Sequence, residues 1–379
     1  MSALPLVPEP LDVCERAPAH VRAISPYQPG KPITELARDL GMDEKAIVKL
    51  ASNENPMGLS PKARTAIEAA IPDLGRYPDQ FSLVRAIAER TGVPPAGVVL
   101  GNGSNDLLEM VAAVFLSAGR SSVYAQHAFA VYPLATLARG ATGIVVPAKD
   151  YGHDLDAMRA AIRGDTTVVF VANPNNPTGT FLDADALARF LAAVPAHVAV
   201  VLDEAYNEYL PPSRRIESTA WLARHPNLVV TRTFSKAYGL AGLRVGYALC
   251  HASVADLLHR VRQPFNVNNI ALAAAEAALG DDAFVAASRE VNDRGMAQVT
   301  EGLRALGLEW IPSCGNFVAV RIPRQDGAAP RAGAVYQAML RQGVIVRPVA
   351  GYEMPDYLRV TIGLPGENAR FLAALRAAL

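Results

Sequence analysis

The chain has 379 residues, of which 51% are hydrophobic and 19% are charged, and its formal net charge is +0. This length predicts two packed domains. The balanced charge argues against nucleic acid and anionic membrane surfaces as partners, and it favours a small-molecule substrate. No apolar run approaches the ~18 residues of a membrane span, and the proline-broken, acidic N-terminus does not resemble a signal peptide.

The three cysteines, Cys14, Cys250 and Cys314, are widely spaced and odd in number. They form neither a disulfide framework nor a CxxC metal motif. We interpret them as small buried residues of a protein in a reducing cytoplasm. The seven histidines are scattered without metal-ligand spacing, so we expect no metal site.

The N-terminal region is rich in turn signals. Residues 1–35 contain seven prolines, which predict an irregular arm with Tyr27 in a turn. This arm either packs on its own subunit or forms a flap over a site. A short strand at 47–51 leads into turns and an alanine-rich helix, and an exposed turn at 75–79 carries Tyr77 at its tip.

A glycine-rich turn follows the apolar residues 98–100, and a helix is predicted to begin at about Ser104. Free backbone N–H groups and the positive end of the helix dipole point into such a turn, so a phosphate would fit there. An ordinary helix cap by Ser104 or Asn105 explains the same residues.

Strands and helices then alternate with near-continuous apolar strands, which predicts a mainly parallel sheet covered by helices in a three-layer α/β/α arrangement. Ligands of such sheets bind at the carboxyl ends of strands. The predicted strands are 121–124, 143–147, 166–172 and 197–202, and the predicted helices are 129–137, 154–162 and 183–193. The candidate residues at strand ends are 103–106, 176, 203–206 and 233–236.

The last third of the chain changes rhythm and predicts a smaller α+β domain. We therefore expect an arm and part of the small domain in 1–50, a large domain in 51–275 and the small domain in 276–379. The predicted helices are 266–280, 281–306, 332–342 and a last one from about Glu367, the predicted strands are 316–321, 344–348 and 357–363, and 327–330 is a predicted loop.

Lys236 lies between two short apolar strands, in the stretch TRTFSKAYGLAGLRVGY. A lysine in such a loop can form a Schiff base with an aldehyde, and the neighbouring hydroxyls and arginine have the chemistry to hold a phosphate. Pyridoxal phosphate carries one aldehyde and one phosphate, so the stretch suggests this cofactor. A solvated lysine beside turn glycines is the competing explanation.

Asp203 ends a predicted strand, where its carboxylate would be partly buried and in need of a partner. A protonated pyridine nitrogen would satisfy that need. Tyr206 and Asn176 could donate to the ring hydroxyl, and Phe129 could stack on the ring. Each residue alone also has a purely structural explanation. Asp203 could cap a helix and Tyr206 could belong to the core. Asn176 could form a turn, and Phe129 could be a packing residue.

Taken together, these stretches resemble the class I/II pyridoxal-phosphate aminotransferases, and most closely the histidinol-phosphate aminotransferase branch. The resemblance covers nearly the whole chain from about residue 25. It implies the fold type I of pyridoxal-phosphate-dependent transferases and a homodimer. The motifs that carry it are SNENPMG, GRYPD, GNGSND, NPNNPTG, DEAYNEY and TFSKAYGLAGLRVGY.

The resemblance also implies roles for single residues. Lys236 would be the Schiff-base lysine and proton carrier, and Asp203 would pair with the pyridine nitrogen. Asn176 and Tyr206 would bond the ring oxygen. Phe129 would stack on the ring, where many relatives have tyrosine. The residues implied to hold the phosphate are Ser104, Asn105, Thr233, Ser235 and Arg244.

Tyr77 resembles the tyrosine that reaches the partner subunit's cofactor phosphate, which implies a homodimer. Arg359 would bind the substrate carboxylate or, in histidinol phosphate, the phosphate. The further residues expected to line the substrate pocket are Arg347, Asn53 and Tyr27.

The function implied is transamination between histidinol phosphate and 2-oxoglutarate in histidine biosynthesis, with a small amino donor and a 2-oxo acid as partners. One alternative keeps the fold and changes the substrate, giving an aromatic or broad-specificity aminotransferase or a phosphothreonine decarboxylase. A second alternative is a non-catalytic, cofactor-binding regulatory module, which would require a basic DNA-reading domain that this balanced sequence does not suggest.

Overall fold

The computed structural model describes residues 12–324 and 329–379. The first part of the predicted arm, at 1–11, and the start of the predicted loop, at 327–328, lie outside the described residues. The α-helices are α1 Asp12–Glu15, α2 Ala19–Arg22, α3 Ile33–Leu40, α4 Pro61–Ala70, α5 Phe81–Thr91, α6 Ser104–Phe115, α7 Val131–Ala138, α8 Leu155–Ala160, α9 Ala184–Ala193, α10 Ala252–Val261, α11 Asn269–Leu279, α12 Asp282–Ala305, α13 Ala332–Leu340 and α14 Pro365–Ala378. The strands are β1 Val48–Lys49, β2 Val98–Gly101, β3 Ser121–Ala125, β4 Thr142–Val146, β5 Thr166–Ala172, β6 Ala199–Asp203, β7 Leu228–Thr233, β8 Gly246–Cys250, β9 Trp310–Ile311, β10 Phe317–Arg321, β11 Val344–Ile345, β12 Arg347–Pro348 and β13 Tyr357–Thr361.

The larger sheet has seven strands in the order β2-β8-β7-β6-β5-β3-β4. Only β8 runs antiparallel to its neighbours among these strands, and the other pairs are parallel. Every residue of β6 is buried, and so are all but one of β5. Because successive side chains of a strand point to opposite faces, both faces of the sheet are covered. The predicted mainly parallel, layered α/β fold is confirmed.

A second core lies around a four-stranded antiparallel sheet in the order β12-β13-β10-β9. It is covered by α12, α13 and α14 and contains fully buried residues such as Val318, Leu358 and Phe371. Val48 and Leu50 belong to this core, since β1 pairs with β11. We propose that the two cores correspond to the predicted domains 51–275 and 276–379, with the segment before residue 51 joining the smaller one.

One prediction about local structure is wrong, and two elements were not predicted. The arm was expected to lack regular structure, but α1 and α2 form between its prolines and α3 begins directly after Pro32. Pro18 and Pro32 stand at the N-caps of α2 and α3, where the missing N–H of proline costs little. Helix α10 and strand β9 were not predicted. Helix α10 begins directly after β8 and is capped by the ring of His251, an unusual capping residue.

One shifted boundary matters for the site. The helix predicted to begin at Phe129 begins at Val131, so Phe129 lies in the loop after β3. The carboxyl ends of β5, β6 and β7 and the turn after β2 therefore form one rim. None of the helices in the described residues combines the length and the apolar character needed to cross a membrane.

Candidate active site

A single pocket at the carboxyl ends of the parallel strands is lined by every predicted site residue except Tyr77. It lies between the two cores and receives residues from both. The predicted residues that line it are Tyr27, Asn53, Ser104, Asn105, Phe129, Asn176, Asp203, Tyr206, Thr233, Ser235, Lys236, Arg244, Arg347 and Arg359.

Lys236 follows β7 and points its amine into this pocket, where Nζ donates to the Ser52 carbonyl at 3.1 Å. Burial, together with the positive charges of Arg359 and Arg244, lowers the pKa of Lys236 to about 8. At pH 7, about a tenth of this amine is therefore neutral and nucleophilic.

Asp203 ends β6 with 5% of its surface exposed. Its two oxygens accept hydrogen bonds from the hydroxyls of Tyr132, at 2.9 Å, and Thr231, at 3.1 Å. No lysine, arginine or histidine of the described residues forms an ion pair with it. Burial raises the pKa of Asp203 to about 6, against the lowering effect of the two hydroxyls. This buried carboxylate lacks a cationic partner, and such a charge is costly.

The turn between β2 and α6 forms an anion cradle with Arg244. Gly103 adopts φ 82°, and a Cβ there would lie 2.6 Å from a guanidinium nitrogen of Arg244, so only glycine allows this approach. Ser104 and Asn105 open α6, which has no side-chain N-cap bond to occupy its free N–H groups. Ser235 donates its N–H to the Thr233 hydroxyl at 3.1 Å on the other side. Such a set binds phosphate well.

Two polar side chains lie between Lys236 and the smaller core. Tyr206 accepts a hydrogen bond from Asn53 Nδ2 at 2.9 Å, and the Lys236 amine lies 5.8 Å from its ring centroid. Burial raises the pKa of Tyr206 to about 12. Asn176 accepts a hydrogen bond from Arg359 at 2.5 Å. Both side chains can hydrogen-bond an oxygen of a ligand bound in this pocket.

Two arginines form the opposite end of the pocket. Arg359, on β13, is 6% exposed, donates to the Ala51 carbonyl at 2.7 Å and leaves its Nε without a partner in the described residues. Burial lowers the pKa of Arg359. Arg347 donates to the Gln28 carbonyl at 2.7 Å, and its guanidinium lies 5.5 Å from the Tyr27 ring centroid. Neither arginine forms an ion pair with an acidic residue of the described segments, so this end is suited to an anionic ligand.

The two remaining predicted residues differ in their placement. Phe129 lines the pocket and packs edge-on against Tyr132, with ring centroids 5.9 Å apart. Tyr77 is 79% exposed, stacks on Phe265 with centroids 4.3 Å apart and does not line the pocket of its own chain.

Several residues that contact the predicted site residues or line the pocket were not predicted from the sequence. Tyr132 and Thr231 hold Asp203, Ser52 holds the Lys236 amine, and Tyr352 lines the pocket beside the two arginines. Tyr132 lies one helical turn after Phe129, which is a weak signal. Tyr352 lies in a turn between two short strands, and nothing in its neighbourhood marks it as a site residue.

The chain matches the family model "Aminotransferase class I and II" over residues 45–375. The chain therefore belongs to the class I and II aminotransferase family, and the resemblance inferred from its motifs is confirmed. Within the family, it is 62% identical over 369 residues to histidinol-phosphate aminotransferase 1 of Dechloromonas aromatica, covering 97% of this chain and 100% of that protein. It is also 63% identical over 357 residues to histidinol-phosphate aminotransferase 2 of Pseudomonas aeruginosa, covering 94% and 95%.

Solved structures give the same picture. The structure of histidinol-phosphate aminotransferase from Sinorhizobium meliloti in complex with pyridoxal-5'-phosphate has a TM-score of 0.87 and 28% identity, covering 96% of this chain and 97% of that one. Aspartate aminotransferase from Thermus thermophilus with maleate has a TM-score of 0.82 at 22% identity over 95% and 98% of the two chains, which shows a shared fold.

Proposed function

We propose that this chain is a pyridoxal-phosphate-dependent histidinol-phosphate aminotransferase, which transfers the amino group of histidinol phosphate to 2-oxoglutarate in histidine biosynthesis. One observation carries the proposal: a lysine of lowered pKa and a buried carboxylate line a pocket that also contains an anion cradle and two arginines, and within the described residues neither the carboxylate nor the two arginines form an ion pair. The near-full-length similarity to histidinol-phosphate aminotransferases supports the choice of substrate.

The residues of the pocket fit the cofactor. Asp203 needs a cation and would obtain it from a protonated pyridine nitrogen. The turn at Gly103 leaves room for the Arg244 guanidinium and for an anion beside it, as the cofactor phosphate requires. Lys236 has an amine that is nucleophilic near neutral pH and faces the same space. The chemistry of this donor set therefore matches an aldehyde, a pyridine and a phosphate.

When bound, the cofactor supplies an aldehyde that captures the amino group and a ring that delocalises the negative charge left at the substrate carbon. The protein's own residues do the rest. Lys236 would take the proton from the substrate carbon and deliver it to the carbon that the cofactor contributes as its aldehyde, because its lowered pKa leaves a neutral amine available as base. Asp203 keeps the ring nitrogen protonated, since its buried negative charge is stabilised by that proton.

The other pocket residues bind and orient. We propose that Tyr206 and Asn176 hydrogen-bond the ring oxygen and that Phe129 stacks on the ring face. The residues proposed to hold the phosphate are Ser104, Asn105, Thr233, Ser235 and Arg244.

The substrate end must accept two different anions in turn. Histidinol phosphate carries a phosphate and no carboxylate, whereas 2-oxoglutarate carries carboxylates. A planar guanidinium binds either group in a bidentate manner, so Arg359 can serve both substrates. Arg347, Asn53 and Tyr27 are proposed to line the space around it.

We further propose a homodimer in which Tyr77 completes the partner's site. Tyr77 lies outside the pocket of its own chain on an exposed aromatic surface with Phe265, so it is free to reach a second subunit. Mixing inactive Lys236→Ala and Tyr77→Ala proteins tests this. Hybrid dimers contain one site with both native residues, so activity should return on mixing. Mixtures no more active than their components would contradict a contribution across subunits.

A substrate panel tests the function itself. Purified protein loaded with pyridoxal phosphate is assayed with histidinol phosphate, phenylalanine and phosphothreonine, each with 2-oxoglutarate, by following the cofactor absorbance. We expect the highest kcat/KM with histidinol phosphate. A preference for phenylalanine, or release of carbon dioxide from phosphothreonine, would favour the alternatives, and no turnover at all would favour a regulatory module. The expectation of three buried cysteines is wrong, since Cys14 is exposed and only Cys250 is fully buried. The cytoplasmic location expected from the cysteine usage stays a prediction.

A further inference from the structure

A chain of hydrogen bonds runs from the smaller core to the pocket through Thr361, Asn53 and Tyr206. The Thr361 hydroxyl accepts the backbone N–H of Asn53 at 2.9 Å and donates to its side-chain Oδ1 at 3.1 Å. The side-chain Nδ2 of Asn53 then donates to the Tyr206 oxygen at 2.9 Å. The three residues are 4%, 1% and 3% exposed, so solvent does not compete for these bonds.

The direction of the chain follows from the number of hydrogens available. The Thr361 hydroxyl has one hydrogen, and Asn53 Oδ1 is its acceptor. If the Asn53 amide were rotated by 180°, Nδ2 would face Thr361. The buried hydrogen of the Thr361 hydroxyl would then lose its acceptor, which is costly. Thr361 therefore keeps Nδ2 directed at Tyr206. The Tyr206 oxygen acts as acceptor in this bond, so its own hydrogen stays free to be donated into the pocket.

The same short segment of backbone also contacts the two residues that would handle the substrate. Arg359 lies two residues before Thr361 on β13, on the same face of the strand, and donates to the Ala51 carbonyl at 2.7 Å. Lys236 donates to the adjacent Ser52 carbonyl at 3.1 Å. The strand that presents the anion-binding arginine thus also fixes the backbone on which the lysine amine rests.

We propose that Thr361 is a positioning residue, which orients the Asn53 amide so that the Tyr206 hydroxyl donates to the ring oxygen of the bound cofactor. This inference rests on the proposed function, because it concerns bound pyridoxal phosphate. Thr361 acts only through Asn53 and Tyr206, and it links the Tyr206 hydroxyl to the strand that carries Arg359.

The consequence is a change in how the cofactor titrates. A hydroxyl that donates to the ring oxygen stabilises its negative charge, so the lysine-bound cofactor releases its proton at lower pH. Without the Thr361 hydroxyl, the Asn53 amide is free to turn, and its Oδ1 can accept the Tyr206 hydrogen instead. The ring oxygen then loses its donor, and the proton is held to higher pH.

Other charged and titratable groups also face Tyr206, and each is left in place by the substitutions proposed below. The groups that act on its pKa are Arg359, Asp203 and Tyr352, with the Lys236 amine over its ring and Tyr209 nearby.

The experiment measures the visible absorbance of the cofactor-loaded protein as a function of pH. Thr361→Val removes the hydroxyl at nearly constant shape, and Thr361→Ser retains it as the matched control. We expect the absorbance midpoint of Thr361→Val to rise by about one pH unit, the scale of one hydrogen bond to a charged group, and that of Thr361→Ser to stay at the native value. Tyr206→Phe should raise the midpoint as well.

The double variant Thr361→Val/Tyr206→Phe separates positioning from general damage. If Thr361 acts through Tyr206, the double variant titrates like Tyr206→Phe alone, whereas independent effects would add. A native midpoint in Thr361→Val, or an additive double variant, overturns the inference.

A second variant protects the test against misfolding. Asn53 adopts φ 55°, which glycine accommodates, so Asn53→Gly removes the amide without backbone strain. Because it also removes the Oδ1 that could accept the Tyr206 hydrogen, its midpoint should stay near the native value, and a rise as large as that of Tyr206→Phe would overturn the inference. If the native protein with added pyridoxal phosphate shows no pH-dependent visible band, the proposed function fails. If the band is present but its midpoint is native in Thr361→Val, or is raised in Asn53→Gly as far as in Tyr206→Phe, only the role of Thr361 fails.

Discussion

The two ends of the pocket are built in different ways. The end formed by Lys236, Asp203 and Arg244 comes from residues at or close to the ends of strands β6, β7 and β8 of one sheet, and Gly103 leaves room there for the Arg244 guanidinium. The opposite end joins segments that are far apart in the chain. Arg347 contacts Gln28 across 319 residues, for example.

This difference in construction suggests that one end of the pocket binds the cofactor and the other binds the substrate. The first end is fixed by the larger core and should bind the cofactor at all times. The second end depends on how the smaller core and the N-terminal segment lie against the larger one, so it should respond to the substrate. Substitutions at the first end should therefore change cofactor binding and chemistry, and substitutions at the second end should change the KM for substrates.

The largest effect is expected from Lys236→Ala. This change removes the proposed base and the amine that attaches the cofactor, and general base catalysis alone contributes about 10²–10⁴-fold. We expect transamination to fall by at least about 10³-fold and the visible band of the lysine-bound cofactor to disappear. Lys45→Ala, at an exposed lysine, should behave as the native protein. Normal turnover by Lys236→Ala would refute the assignment.

Asp203→Asn should reduce kcat by about 10²–10³-fold, the scale of losing one preorganised charge at a reacting centre. The amide no longer keeps the ring nitrogen protonated, so the ring stabilises negative charge less well. Steady-state kinetics with histidinol phosphate measures this, and Asp185→Asn on an exposed helix turn is the control. A kcat within a few-fold of the native value would exclude pairing between Asp203 and the ring.

The same substitution should stabilise the protein when the cofactor is absent. The pKa of Asp203 is raised from 3.8 to about 6, so the folded state binds a proton more tightly than the unfolded state. Native stability then falls as pH rises from about 4 to about 6, and the full cost, about 3 kcal/mol, is present above that window. Cofactor-free Asp203→Asn should unfold at higher urea concentration than the native protein at pH 7, with a smaller difference at pH 4. Equal midpoints at pH 7 would contradict the buried, unpaired charge.

A pair of arginine substitutions tests the division between the two ends directly. Arg244→Gln should weaken pyridoxal phosphate binding by about 10–100-fold, the scale of one charged hydrogen-bonding contact, with little change in the KM for histidinol phosphate at saturating cofactor. Arg359→Gln should raise that KM by a similar factor and leave cofactor affinity near the native value. Each variant is the control for the other. Parallel changes in both constants in both variants would remove the distinction.

The two ends of the pocket also differ in how many of their residues could be predicted from the sequence. Residues of the first end follow strand ends in short motifs, and parallel strands bring their carboxyl ends to one edge, so Asp203 and Lys236 were predicted to meet there. Alternating apolar segments likewise indicated the layered sheet. The helix α10 was missed because its cap is a histidine, and the stretch before it gives no ordinary start signal.

The second end was harder to predict because its contacts join distant segments. Thr361 and Asn53 are separated by 308 residues, and neither a motif nor a periodicity signals that they bond. Arg359 was identified only through the resemblance to known aminotransferases. Tyr77 shows a different limit, since its proposed partner is a second copy of the chain and the pocket of one subunit does not contain it.

The smallest effect is expected at Tyr352, a pocket residue of the second end that the sequence did not reveal. Its pKa is raised by burial, while the charges of Arg359 and Arg347 act to lower it, which places the phenol near both arginines. The neutral hydroxyl can donate to the anion that they bind. Tyr352→Phe should therefore raise the KM for histidinol phosphate by about 2–10-fold, the scale of one neutral hydrogen bond, with cofactor affinity unchanged. Tyr336→Phe on α13 is the control, and a change in cofactor affinity in place of KM would move Tyr352 to the first end.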